Sequence, residues 1–228
     1  MTFDEALAKL KNASPLRITV SGDIGSGKST FTKDITSVLT AKGYKCVHLS
    51  TDDGYRDFSH LSIEQRKQLK YGLDGLSFDH PDAVDFKSLQ ERLVTIKEGL
   101  PLEFPKYDFT NHSYLGSESV IIEPNRDFVF MEGIFALDES LLSLYSTTIF
   151  VDTPEMVAFS RRVKRDMKER KRSLADIRKQ YYSTVKACQR DFVLPTIKKV
   201  KHVVNWDKPK QDLEESVTEM LEHLLSRL

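Results

Sequence analysis

Eight residues constrain this chain more than any others: Gly22-Asp23-Ile24-Gly25-Ser26-Gly27-Lys28-Ser29, the pattern G-x-x-x-x-G-K-[ST] of a P-loop. Such a loop needs a strand before it and a helix after it. Its glycines let backbone N–H groups turn inward around phosphate oxygens, and the helix N-terminus adds the positive end of its dipole. The flanks comply. Leu16-Arg17-Ile18-Thr19-Val20 reads as a strand, and a helical stretch runs from about Lys28 to Ala41, closed by Gly43. Residues 22–29 and Thr30 are therefore expected to bind a nucleoside triphosphate. Lys28 would reach the β- and γ-phosphates, and the Ser29 hydroxyl would bind Mg²⁺. The plain alternative is a Gly/Ser turn before a helix.

The remaining pattern extends this strand–loop–helix unit into a fold. Lys45–Ser50, Phe128–Met131, Thr147–Val151 and Lys201–Asn205 read as strands, with helices predicted at 3–12, 62–70, 85–98, from Pro154 to about Arg190 with a break near 171–173, and at 210–228. Pro101, Pro105, Gly116 and Pro124 bracket two short apolar runs, which predicts a β-hairpin lobe over about 101–124. Strands alternating with helices imply a parallel sheet covered on both faces. The fold class expected is α/β: a doubly wound, P-loop NTPase-type sheet with a small hairpin lobe and a helical, arginine-rich lid. Length agrees, since 228 residues allow one large domain, residues 1–228.

A P-loop indicates triphosphate binding without naming the reaction. No glycine has an aspartate three positions before it and no N-K-x-D occurs, so the GTPase motifs are missing. Asp52 and Asp53 follow the second strand, and Glu132 follows Phe128–Met131. Acids at the carboxyl ends of parallel strands open into the ligand crevice. There Asp52 is suited to accept a proton from an attacking hydroxyl and Glu132 to hold Mg²⁺, with Asp52 and Ser29 as further metal ligands. An Asp-Asp-Gly turn also has a bland reading, as a cap.

Charge is where composition enters. The 34 basic and 34 acidic residues cancel, which argues against a dedicated polyanion binder. The cancellation is uneven, because 161–201 carries 15 basic and 4 acidic residues. Within it Arg162, Arg165, Arg170 and Arg172 suit a lid that closes over phosphates. A solvated charged helix and a nucleic-acid-binding segment are the competing readings. Cys46 and Cys188, 142 positions apart, suggest reduced thiols in a cytoplasmic protein. No signal peptide or membrane-spanning run is visible.

Several blocks, in order over about 15–205, resemble the uridine/cytidine kinase and phosphoribulokinase family of P-loop kinases. They are the P-loop, Asp52-Asp53-Gly54-Tyr55-Arg56, Phe78-Asp79-His80-Pro81-Asp82-Ala83, Tyr107-Asp108-Phe109 with His112, Met131-Glu132-Gly133-Ile134, Phe150-Val151-Asp152-Thr153, the arginine-rich segment, Gln180-Tyr181 with Val185-Lys186, and Leu194-Pro195-Thr196. The resemblance implies ATP-dependent phosphorylation of the 5′-hydroxyl of uridine or cytidine with Mg²⁺. It implies Asp52 as base, with Lys28, Arg162 and Arg165 as catalytic cations, and Arg165 and Arg170 on ATP. It implies Tyr55, Asp79, Tyr107, Phe109, His112, Arg162, Arg172 and Gln180 on the nucleoside, with Asp79 at the ribose cis-diol and Tyr107, Phe109 and His112 as the pyrimidine wall. Bland readings stand beside these: Tyr107 and Phe109 as core aromatics, Asp79 as a helix cap. Family members often assemble as dimers or tetramers, and the expected partners are a nucleoside and ATP, not nucleic acid or membrane.

Two departures stand out. The family's usual Asp-Ser-Phe-Tyr is Asp-Asp-Gly-Tyr here, and Gly54 is expected to loosen or enlarge the pocket. The usual Arg-Gly-Arg-Asp of the lid is Arg170-Lys171-Arg172-Ser173, without a glycine hinge. Another small hydroxyl acceptor (a second nucleoside, nicotinamide riboside, pantothenate or a sugar phosphate) and a non-catalytic nucleotide-binding protein are the alternatives.

Overall fold

The computed structural model describes residues 15–108, 113–207 and 213–225. The helix expected at 3–12 lies outside them, as do Phe109 and His112. Five strands, β1 (Leu16–Gly22), β2 (Cys46–Ser50), β5 (Phe128–Glu132), β6 (Thr147–Val151) and β7 (His202–Val204), form one sheet in the order β2-β5-β1-β6-β7. Every pairing in it is parallel. The hairpin lobe is a separate antiparallel pair, β3 (Leu102–Asp108) and β4 (Ser113–Ile122), with its register shifted between Pro105 and Tyr107.

Side chains of one strand point alternately to the two faces, so the central strands are apolar on both. In β5, Phe128 and Phe130 join one core with α1 (Lys28–Ala41) and α7 (Leu213–Leu225), while Val129 and Met131 join the other with α3 (Phe86–Lys97) and the hairpin. Phe31, Ile35 and Leu39 of α1 are completely buried. Each such burial contributes roughly 1.5–3 kcal/mol, which holds the helix that follows the P-loop firmly on the sheet.

Beyond β6, α5 (Glu155–Lys168) starts behind Pro154 and the chain breaks over 169–173, close to the break expected. α6 (Leu174–Gln180) then begins with Ser173 as cap. Helical structure goes further than the sequence pattern suggests. Two π-turns, Tyr181–Val185 and Gln189–Val193, and a 3₁₀ segment, Leu194–Lys199, carry it to Lys199. Pro195 sits in the first turn of that last segment, where a missing N–H costs nothing. Among the described residues no helix is long and apolar enough to cross a membrane.

Candidate active site

Strand register assembles the site. Glu132 ends β5 level with Val20 of β1 on one side and Ser50 of β2 on the other. The P-loop leaves β1 and the Asp52 turn leaves β2, so Lys28, Ser29, Asp52 and Glu132 gather at one edge of the sheet. They line one cavity of about 660 Å³, a volume suited to small ligands.

The P-loop adopts the backbone its glycines permit, with φ of 150°, 89° and 96° at Gly22, Gly25 and Gly27. Gly25 shows why a side chain is excluded: a Cβ there would run into the backbone carbonyl of Ala158 in α5. The loop is thus pressed against the helix that carries the arginines. Asp23 and Ser26 are buried in the loop, and Thr30 is exposed beyond it. Burial pushes the Asp23 carboxyl up to about 6. Arg161 reaches the Ser26 carbonyl at 3.5 Å and pairs with Asp207 at 2.7 Å, a bracing contact with no sequence signal beyond its charge.

The two neighbouring aspartates separate cleanly. Ser50 Oγ accepts from the Asp52 amide at 3.1 Å and caps the 3₁₀ turn Thr51–Gly54. Asp53 turns away into the protein, accepting from Lys106 Nζ at 2.7 Å and from the Tyr107 amide at 3.0 Å. Asp53 anchors the hairpin lobe, and Asp52 faces the cavity. The capping role open to the Asp-Asp-Gly turn belongs to Ser50.

Asp52 and Glu132 differ in protonation behaviour. Burial, reinforced by the Glu132 charge, pushes the Asp52 carboxyl up to about 6. Burial acts on Glu132 in the same sense, but His48, Lys28 and the Ser29 hydroxyl together outweigh it and hold the group below the usual range. Two carboxyls pushed apart in this way are a signature of separated acid–base roles. Ser29 Oγ donates to Glu132 Oε1 at 2.9 Å, and Glu132 Oε2 is buried with no hydrogen-bond partner. Among the described residues no cluster of three or more His, Cys, Asp or Glu is poised to hold a metal. A hydroxyl and hard carboxylate oxygens beside a phosphate loop nonetheless fit Mg²⁺, which takes few protein ligands and fills its shell with phosphate and water.

Opposite stands Asp79. His80 takes the cap of the following 3₁₀ turn, its Nδ1 accepting from the Asp82 amide at 3.2 Å, so Asp79 is left free of that duty. Asp79 lines the cavity and is 5% exposed. Its Oδ2 accepts from Thr184 Oγ1 at 2.6 Å and from Gln180 Nε2 at 3.0 Å. Burial raises its pKa, against those two hydrogen bonds and the nearby arginines. Thr184 sits in the π-turn just after Gln180, an irregularity that no residue pattern announces. Tyr55 lines the cavity and donates to the Phe78 carbonyl at 2.9 Å.

Gln180 also faces the arginines: its Oε1 accepts from Arg162 Nη2 at 2.9 Å and from Arg172 Nη1 at 2.8 Å. Arg162, Arg165, Arg170 and Arg172 all line the cavity, joined by Lys70 from the segment after α2 (Ile63–Leu69), which the sequence pattern does not mark. Together they make one strongly basic wall of the cavity. The solvated-helix reading does not hold for Arg162, which is 3% exposed.

Two expectations change. Gly54 does not enlarge the pocket: the space beside it is filled by Leu89 of α3, whose side-chain carbons would lie 2.6–2.7 Å from any Cβ added there. Tyr107 is not brought to the cavity wall; it is 4% exposed, with its ring 5.4 Å from Tyr55 and 5.5 Å from Tyr114.

Comparison with known proteins agrees with this geometry. The Phosphoribulokinase / Uridine kinase family model matches residues 17–213. A uridine kinase of Lactobacillus helveticus (strain DPC 4571) is 35% identical over 187 residues, 82% of this chain and 84% of the relative. One from Staphylococcus haemolyticus (strain JCSC1435) is 38% identical over 182 residues, 79% and 83% of the two chains. Among solved structures, phosphoribulokinase from Rhodobacter spheroides superposes with a TM-score of 0.62 at 12% identity, covering 88% of this chain and 74% of that one. D-glycerate 3-kinase from Cryptococcus neoformans superposes at 0.55 and 15% identity, covering 82% and 86%. The structures share the fold, and the sequence relatives with the family model show that the chain belongs to the phosphoribulokinase/uridine kinase family.

Proposed function

We propose that the protein transfers the γ-phosphoryl group of ATP to the 5′-hydroxyl of uridine or cytidine. One observation carries this reading: Asp52, with its carboxyl at about 6, and the ionised Glu132 share a cavity with Lys28, Ser29 and four arginines. The relatives named uridine kinase, over about four fifths of the chain, support the acceptor.

Phosphoryl transfer asks the protein mainly for position and charge. In this reading backbone N–H groups of 22–29 and Lys28 hold the triphosphate. Asp52 takes the proton of the attacking hydroxyl, and a carboxyl near 6 is ionised at neutral pH yet basic enough to serve. Ser29 and Glu132, with Asp52 beside them, would hold Mg²⁺, which when bound neutralises phosphate charge. Asp79, braced by Gln180 and Thr184, offers the carboxylate that a ribose cis-diol needs. Arg162, Arg165, Arg170 and Arg172 offset the charge of the transferring group and keep water out. Two widely separated free thiols, Cys46 half-buried and Cys188 buried, fit a cytoplasmic enzyme.

A different small hydroxyl acceptor is the second reading, favoured by the withdrawal of Tyr107 from the cavity wall. An ADP-release assay across nucleosides, sugar phosphates and vitamins separates the two. Uridine and cytidine are expected to stimulate ADP release most. Release no faster with them than without acceptor, or faster with another compound, overturns the first reading.

A further inference from the structure

Asp166 of α5 is the centre of the lid although it does not line the cavity. Its side chain is completely buried. One carboxylate oxygen, Oδ1, faces Arg165 at 2.9 Å and Arg170 at 3.7 Å. The other, Oδ2, faces Arg172 at 3.4 Å and Arg162 at 3.6 Å. Its backbone carbonyl accepts from the Arg172 amide at 3.1 Å, closing the turn in which Lys171 takes φ 53°. One residue thus touches all four cavity-lining arginines, from one helical turn before it to six residues after it.

Two physical points follow. Four guanidinium groups crowded at one cavity wall repel one another, and the buried Asp166 carboxylate that faces all four offsets that repulsion, with Asp79 beside Arg162 and Asp176 on Arg172 adding to it. A carboxylate also directs guanidinium forks, because charge-assisted N–H···O bonds are short and directional. Arg172 Nε donates to Asp176 Oδ2 at 2.6 Å, and Nε and Nη1 of Arg162 and Nη2 of Arg172 are buried without a hydrogen bond. These are the donors left over for a ligand. A negative charge inside an anion-binding wall weakens attraction for phosphate, so simple grip on the triphosphate does not explain it.

We propose that Asp166 is a positioning residue for phosphoryl transfer: it orients Arg162, Arg165, Arg170 and Arg172 toward the transferring phosphate while touching neither reactant. The proposal rests on the functional reading above, in which those arginines face the triphosphate.

Asp166→Asn keeps the shape and removes the charge. The full-length variant is expected to lose about 10- to 100-fold in kcat, the scale of a misplaced catalytic group, while KM for ATP stays level or falls. In protein with ¹⁵N-labelled arginine, the dispersed, slowly exchanging Nε–H signal of Arg165, whose Nε donates to Asp166 Oδ1 at 3.0 Å, is expected to collapse toward the solvent-exposed position, while that of Arg172, held by Asp176 at 2.6 Å, and the backbone amide spectrum are preserved. Unchanged kcat in the folded variant overturns the proposal. So does a raised KM for ATP with unchanged kcat, or retention of the dispersed Arg165 signal. If the single variant does not fold, Arg170→Gln against Asp166→Asn/Arg170→Gln makes the same comparison with one charge of each sign removed. A wild-type protein that phosphorylates no nucleoside sinks the functional reading and leaves the Arg165 signal to decide the role of Asp166.

Discussion

The Gln180 amide donates to the Asp79 carboxylate across 3.0 Å, joining residues 101 positions apart. The same side chain accepts from Arg162 and Arg172. A single amide therefore ties the carboxylate proposed for the acceptor to the arginines proposed for the phosphates.

Gln180→Leu keeps the volume and removes both links. It leaves buried polar partners short of a hydrogen bond, a loss of about 1–3 kcal/mol. That corresponds to a fall of roughly 2–4 °C in Tm per kcal/mol for a chain of this size. KM for the acceptor is expected to rise about tenfold or more, and KM for ATP much less. Thermal melts with two-substrate kinetics check this; equal rises in both KM values would mean that Gln180 does not distinguish the two ligands.

Asp52→Asn separates catalysis from stability. Loss of a general base costs on the order of 10²–10⁴-fold in kcat. In the folded protein burial pushes the carboxyl up to about 6 from its ordinary 3.8. The native state thus binds more protons than the unfolded state between those values, and stability falls as pH rises from about 4 to 6. At pH 7.5 the Asn variant is expected to be more stable by about 1 kcal/mol, less than the ~1.4 kcal/mol per pKa unit because water reaches the cavity. In the wild type kcat/KM is expected to fall on the acid side with its midpoint near pH 6, and a profile flat from 5 to 8 would remove Asp52 from the base role.

Lys171 occupies a left-handed backbone conformation, φ 53°, at the lid position where the family usually has glycine. An L-residue there costs roughly 1–2 kcal/mol, and glycine gives back about half of that through its freer unfolded chain. Lys171→Gly is expected to stabilise the protein by about 0.5–1 kcal/mol, read as a raised denaturation midpoint. An unchanged or lowered midpoint would show that the turn does not strain Lys171.

Gly54 and Leu89 are complementary in volume. Gly54→Ala is expected to cost about 1–3 kcal/mol through overpacking against Leu89. Part of that loss should return in the Gly54→Ala/Leu89→Ala double variant, with a coupling of about 0.5–3 kcal/mol in the cycle. Additive losses would show that Leu89 is not the obstacle.

Features set by neighbours in the chain were legible in the amino-acid sequence. The P-loop is eight consecutive residues whose glycines dictate backbone geometry, and the short runs 128–131 and 147–151 read as strands buried on both faces. The split between Asp52 and Asp53 was half-legible: the strand end located the pair, but Lys106 and the Tyr107 amide, more than fifty positions away, determine which one turns inward. Asp166 left a trace, four residues after Arg162 and four before Arg170, yet the charge run drew attention to its cations instead. Leu89 against Gly54, Gln180 on Asp79, and Tyr107 drawn into the hairpin core were decided only by tertiary structure. Each depends on which surfaces meet when helices and hairpin close on the sheet, and packing at that range leaves no periodicity in the residues themselves.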